Sequence, residues 1–213
     1  MIETITFIEP RDADTKLAML HLNRRVLIDA LVQANMYCAR LTLHHPRLYR
    51  YGVMTGEAVA ALRDILVPRG WEKRDEGHYE LVFNPLLNLS IAVASGDEGT
   101  GDPQKTPSNR SEKGPRTAKA VKDNQTADLF PETLSTVPNS MVVINTWILL
   151  HRVCDNEIRL ELSRPNAFDD TERFVTGWSE RILLGAISLD NNAAPLPMPQ
   201  LSEEDIVISR KAA

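Results

Sequence analysis

Between Ser95 and Pro131 the chain reads SGDEGTGDPQKTPSNRSEKGPRTAKAVKDNQTADLFP, a run that separates two segments rich in patterned apolar residues. From Gly96 to Asn124 the only large aliphatic residue is Val121. A stretch with so little to bury cannot offset the conformational entropy lost on ordering it. It is therefore expected to be a disordered arm over 95–140. On this reading 1–94 holds helices and the first part of a sheet, and 141–213 holds the second part of the same sheet and a Pro-rich tail. A structureless connection of that length inside one domain is uncommon unless it serves a function or is disordered, so the arm becomes the first place to look for one.

The N-terminal half carries both periodicities. Ile5 and Phe7 alternate with Thr4 and Thr6, which predicts a short strand closed by Glu9-Pro10. Leu17, Leu20, Leu27, Leu31, Ala34, Cys38 and Leu41 then recur at helical spacing, predicting one long helix, or two broken near Asn35, that starts at Asp12 or Asp14 and ends by His45-Pro46. Thr55 is a plausible cap for a further helix, Gly56 to Val67, ended by Pro68 and Gly70. Trp71–Arg74, Tyr79–Phe83 and Leu89–Val93 read as strands with turns at Asp75–His78 and Asn84-Pro85, an antiparallel meander with one buried face.

Beyond the arm, Met141–Val153 reads as a long apolar strand. Asp155-Asn156 is a turn, and Ile158, Leu160 and Leu162 alternate with Arg159, Glu161 and Ser163, so this is a hairpin. Arg164 to Thr176 is expected as polar loop, and Trp178 to Leu189 as a further strand. Three strands with an exposed apolar face are not a stable unit, so they complete the sheet begun by the first half. The expected fold class is α+β: an antiparallel sheet of about five to six strands packed by N-terminal helices, with a long disordered insertion.

Of 213 residues, 43% are hydrophobic, enough for a sizeable core. The formal charge of -5 exerts no overall pull toward nucleic acid. Locally the balance differs, because Pro103–Lys122 sets six cations against the single carboxylate Glu112. Of these, Lys113, Arg116, Lys119 and Lys122 are candidate phosphate contacts. His44 to Tyr51, HHPRLYRY, interleaves bases with aromatics, which makes Arg47, Tyr49, Arg50 and Tyr51 candidate contacts for a single strand.

The chemistry of sites returns mostly negatives. His21, His44, His45, His78 and His151 show no H-x-x-x-H pairing, and neither Cys38 nor Cys154 has a partner at C-x-x-C spacing, so no metal is expected. Two lone cysteines suit a reducing compartment. Gly96–Gly101 follows a strand as phosphate loops do, but it lacks the lysine and carries two carboxylates, so it is expected to be a flexible exit from the sheet. Asp169, Asp170 and Glu172 are expected to form a solvated loop rather than a cation site. No nucleophile signature occurs, and neither a catalytic residue nor a cofactor is expected. No basic leader and no apolar run approaching about 18 residues is present, which predicts a cytoplasmic protein with no membrane partner.

The arm ends in Gln125-Thr126-Ala127-Asp128-Leu129-Phe130. Q-x-x-D-L-F resembles the short peptide by which many bacterial replication and repair proteins hold the DNA sliding clamp. The resemblance covers six residues in the longer spacing of that motif. It implies polar contacts from Gln125 at a pocket edge and an apolar pocket filled by Leu129 and Phe130, with Asp128, the acidic residue of the motif, also partner-binding. The alternative is that Leu129 and Phe130 re-enter the core where the arm rejoins the body. Through SGDEGTG to NQTADLF the whole chain is similar to uncharacterised proteins of bacterial phages and mobile elements. The expected function is thus a non-enzymatic accessory protein of bacterial DNA metabolism or of a mobile element. It would dock on a protein partner, with the sliding clamp as first candidate. A nucleic-acid-binding module and an enzyme with dispersed site residues stay open as alternatives.

Overall fold

The computed structural model describes residues 4–75, 77–129, 144–154 and 156–189. The strands are β1 (Ile5–Phe7), β2 (Glu72–Asp75), β3 (Glu80–Asn84), β4 (Leu89–Ser95), β5 (Asn145–Val153), β6 (Glu157–Asp169) and β7 (Phe174–Ser188). The helices are α1 (Pro10–Met19), α2 (Arg24–Cys38), α3 (Tyr49–Leu66) and α4 (Pro115–Leu129). All seven strands join one sheet in the order β1-β7-β6-β5-β4-β3-β2. The two halves of the chain therefore share a single α+β sheet.

The stretch expected as one long helix, or two broken near Asn35, is two helices broken earlier, between Met19 and Arg24. α1 stops at Leu20, His21 takes φ 56°, and Asn23 restarts the helix by accepting the Val26 N–H at 3.0 Å. The break keeps one apolar stripe facing inward, because Leu17, Leu27, Leu31 and Ala34 are all fully buried. They pack with α3 residues Met54, Ala58 and Leu62 against the sheet face of Ile91, Trp147, Leu149 and Leu162. Each such large side chain contributes about 1.5–3 kcal/mol by leaving water. α3 begins at Tyr49, before the expected cap at Thr55. Leu48 precedes it with no capping side chain, so nothing local in the sequence marks that start.

The sheet is mixed rather than antiparallel. β4 pairs in parallel with β5, from Leu89 opposite Asn145 to Ser95 opposite His151, and β1 pairs in parallel with β7. Parallel neighbours need a long crossover, and the polar stretch supplies it. Arg164–Thr176 is also not loop: β6 runs through it to Asp169 past irregularities at Pro165, and a tight turn leads into β7.

The other face of the sheet is covered by the expected arm. Residues 96–114 form an ordered loop and α4 lies on β5 and β6, whereas 130–140 of that expectation lies outside the described residues, as does the Pro-rich tail. Entropy does not win because β6 and β7 place polar groups on this face whose remaining hydrogen bonds the loop supplies. Glu161 and Arg181 are buried there as an ion pair. Gly101 N–H donates to Glu161 at 2.8 Å, and Arg181 donates to the Lys105 and Asp102 carbonyls at 2.8 and 3.1 Å. Trp178 Nε1 donates to the Pro107 carbonyl at 2.7 Å. The glycine-rich run thus binds a carboxylate of its own chain. A Cβ at Gly99 would stand 2.9 Å from the Thr106 carbonyl oxygen, and Gly101 holds φ +74°.

Candidate binding surface at the α2–α3 junction

The connection from α2 to α3 is a knot of hydrogen bonds. His45 N–H donates to the Thr42 carbonyl at 3.1 Å, and Thr42 N–H donates to His45 Nδ1 at 3.0 Å. This turn sets the His45 ring parallel to Tyr49, the first residue of α3, with centroids 5.7 Å apart and planes 11° from parallel. Beside the stack lies an open groove of about 740 Å³ lined by Cys38, Thr42, His44, His45, Arg47 and Arg50. Leu43 also lines it, and the neighbouring ends of α2 and α3 carry the exposed side chains of Leu48, Tyr49 at 50% and Tyr37 at 46%. The Arg40 guanidinium sits 5.3 Å over the Tyr37 ring.

Charge here is unbalanced. Among the described residues no carboxylate lies within ion-pair distance of Arg40, Arg47 or Arg50. The buried Cys38 thiol, 3.7 Å from the Arg50 carbonyl oxygen, has its pKa raised by desolvation, with Arg50 pulling the other way. It is a neutral wall of the groove, not a thiolate. Unpaired guanidinium groups beside aromatic faces can hold phosphates and stack on bases. Of the expected contacts, Arg47, Tyr49 and Arg50 meet in this site. Tyr51 lies on the adjoining turn of α3 under Arg110, whose Cζ is 3.8 Å from the ring centroid. Sequence reading missed Tyr37, Arg40 and Arg110. For Tyr37 and Arg40 the three-residue spacing at the end of an amphipathic stripe was the available signal. Arg110 stood in the basic stretch Pro103–Lys122, but nothing in the sequence brought it to this junction, which it reaches through the loop.

The other expected contacts lie on or just before α4, and most are engaged within the chain. Lys119 pairs with Asp123 at 2.5 Å and Lys122 approaches Asp170 at 3.9 Å. Lys113 is half-buried, which lowers its pKa, and the Arg116 guanidinium packs beside Gly77. Gln125 donates to the Asn166 carbonyl at 2.6 Å, and Asp128 accepts from buried Arg164 at 2.8 Å. Two of the four residues assigned to the clamp motif therefore hold α4 to the sheet. Leu129 is 73% exposed, and Phe130 lies outside the described residues.

One polar cluster is enclosed. Thr55 Oγ1 lies 3.3 Å from His151 Nε2 and 3.4 Å from Ser95 Oγ. Burial, assisted by the nearby Lys113 charge, pushes the His151 pKa down to about 4. Among the described residues its Nδ1 has no partner, so the imidazole lacks there the orienting group that a hydroxyl–histidine nucleophile uses. Among the described residues no group of three or more potential metal ligands gathers, and Asp169 instead accepts the Thr171 and Glu172 N–H groups at 2.7 and 2.9 Å. No described helix is long and apolar enough to cross a membrane. No family model, curated protein or solved structure matches the chain.

Proposed function

We propose that this protein is a non-enzymatic module that binds single-stranded nucleic acid at the α2–α3 junction. The observation that carries the reading is the groove beside the parallel His45–Tyr49 pair, lined by Arg47 and Arg50, which have no carboxylate partner among the described residues. A net charge of -5 gives the rest of the surface no general affinity for phosphate, so attraction has to be local, as this cluster is. Exposed aromatic faces favour unpaired bases, whose rings are free to stack. The setting in bacterial DNA metabolism or a mobile element, and a cytoplasmic location, belong to the same proposal and rest on the resemblance and composition alone. The test is anisotropy of a labelled single-stranded oligonucleotide at low salt. Tyr49→Ala should cost about 1–3 kcal/mol, and Arg47→Ala with Arg50→Ala should lower the salt slope by about 0.7 per lost contact. Binding that is absent, or indifferent to all three substitutions, overturns the reading.

A second proposal, docking on a sliding clamp, has one supporting observation, the exposed Leu129 at the end of α4. Because the side chains of Gln125 and Asp128 are bonded to β6, use of the whole motif requires those bonds to break and the last turn of α4 to unwind. Binding of the intact chain to a bacterial clamp, lost in Leu129→Ala, supports it. Binding only by the isolated peptide Lys119–Pro131 counts against it.

A further inference from the structure

We infer that the path for single-stranded nucleic acid continues from the α2–α3 junction around the end of the sheet, along Arg110, Arg152 and Arg173, to the lysines of α4. This rests on the junction reading and extends it. The first link is Arg110, stacked on Tyr51 and fixed by its own N–H, which donates to the Ser95 carbonyl at 2.8 Å. Arg110 shares a second groove, of about 460 Å³, with Arg152 and the Phe174 ring. Phe174 follows Arg173, whose carbonyl accepts the Lys113 N–H at 2.9 Å and whose Nε donates back to the Lys113 carbonyl at 2.9 Å. Arg173 in turn lines a third groove, also about 460 Å³, with Lys119, Lys122 and the Phe168 ring. The junction groove thus reaches the second through Arg50, its neighbour Tyr51 and the Arg110 stacked on it, and the second adjoins the third at Phe174 and Arg173; each groove has cations and an aromatic ring at its wall.

Carboxylates border this path. Asp97 and Glu98 line the second groove, Glu112 binds Arg173 at 3.0 Å, and Asp123 and Asp170 face Lys119 and Lys122. The lysine and arginine partners in these pairs are 48–69% exposed, and exposed ion pairs are worth little, so a phosphate can replace a carboxylate at small cost. Arg110 and Arg152 have no carboxylate within ion-pair distance among the described residues. A polymer with one charge per nucleotide and a face on every base matches a strip of alternating cations and rings. A small anion would need one groove only.

The experiment is a length series on the full chain, with single-stranded oligonucleotides of about 4 and about 15 nucleotides, the span of known single-strand sites. The wild type should bind the longer one at least about tenfold more tightly after correction for the number of registers. Arg152→Gln with Lys122→Gln should keep the affinity for the short oligonucleotide, erase the gain, and lower the salt slope for the long one by about 1.4. Lys119→Gln with Lys122→Gln should act in the same direction, guarding against a misfolded first variant. No gain with length, or a gain that both variants keep, overturns the strip and leaves the junction intact. Failure of the short oligonucleotide to bind the wild type overturns the junction reading itself.

Discussion

Glu161 and Arg181 lie side by side across β6 and β7, with Nε to Oε1 at 3.1 Å and Nη2 to Oε2 at 2.6 Å, and both side chains are almost wholly removed from solvent. The pair anchors the loop of 96–114, since each member also bonds to that loop's backbone. Removing one partner strands a buried charge and a set of backbone groups. Glu161→Gln or Arg181→Met alone should cost about 3–5 kcal/mol, and the combined substitution clearly less than the two added. Urea unfolding of the four proteins measures the coupling. Trypsin should cut slowly at Lys105 and Arg110 in the wild type and faster in either single variant. A wild type cut there at once would contradict an anchored loop.

Asn124, fully buried on α4, stands in for a strand. The β5–β6 ladder stops at Ile148 opposite Ser163, and beyond it the Asn124 carboxamide accepts the Thr146 N–H at 2.9 Å. It also donates to the Thr146 and Pro165 carbonyls at 2.9 and 2.8 Å. Asn124→Ala leaves those groups unpaired and should destabilise by about 1–3 kcal/mol. Asn124→Asp should be worse still, because a carboxylate would face two carbonyl oxygens. The urea midpoint reads both, and an Asp variant as stable as wild type would refute the geometry.

His151 makes stability sensitive to acid. Its folded pKa, about 4, lies below the ordinary 6.5, so the unfolded chain takes up the proton first. Its contribution is complete above pH 6.5 and is lost as pH falls toward 4, by about 3 kcal/mol in all. His151→Gln should flatten the stability profile between those values. Identical pH dependence in variant and wild type would show that His151 is not held neutral by burial.

Legibility in the sequence followed the apolar pattern. The stripe Leu17, Leu27, Leu31, Ala34 and Cys38 and the alternation of Ile158, Leu160 and Leu162 announced α1, α2 and the face of β6 that they cover. The opposite face was harder to read, because beside its apolar cluster of Leu81, Ile148, Leu150 and Trp178 it also buries polar and charged residues. Glu161 and Ser163 alternate with the apolar residues of β6, yet Ser163 donates to Glu161, and Glu161 and Arg181 find further partners in a loop far away in sequence. For the same reason α4, which buries Thr117, Ala118, Ala120, Val121 and Asn124, looked like disordered chain. The parallel β4–β5 pairing depends on that hidden crossover. At the junction, Arg47, Tyr49 and Arg50 were legible because they are contiguous. Arg110 was not, since only folding brings it to Tyr51.

The central claim is that single-stranded nucleic acid lies on the α2–α3 junction. Ultraviolet crosslinking of a photoreactive single-stranded oligonucleotide to the full chain, followed by peptide mapping, locates the contact without any substitution. Crosslinks should fall on Tyr37, Tyr49 or Tyr51, the aromatic residues at or beside the junction arginines, and should fade as salt rises. Crosslinks confined to other surfaces, or none at low salt, would contradict the account.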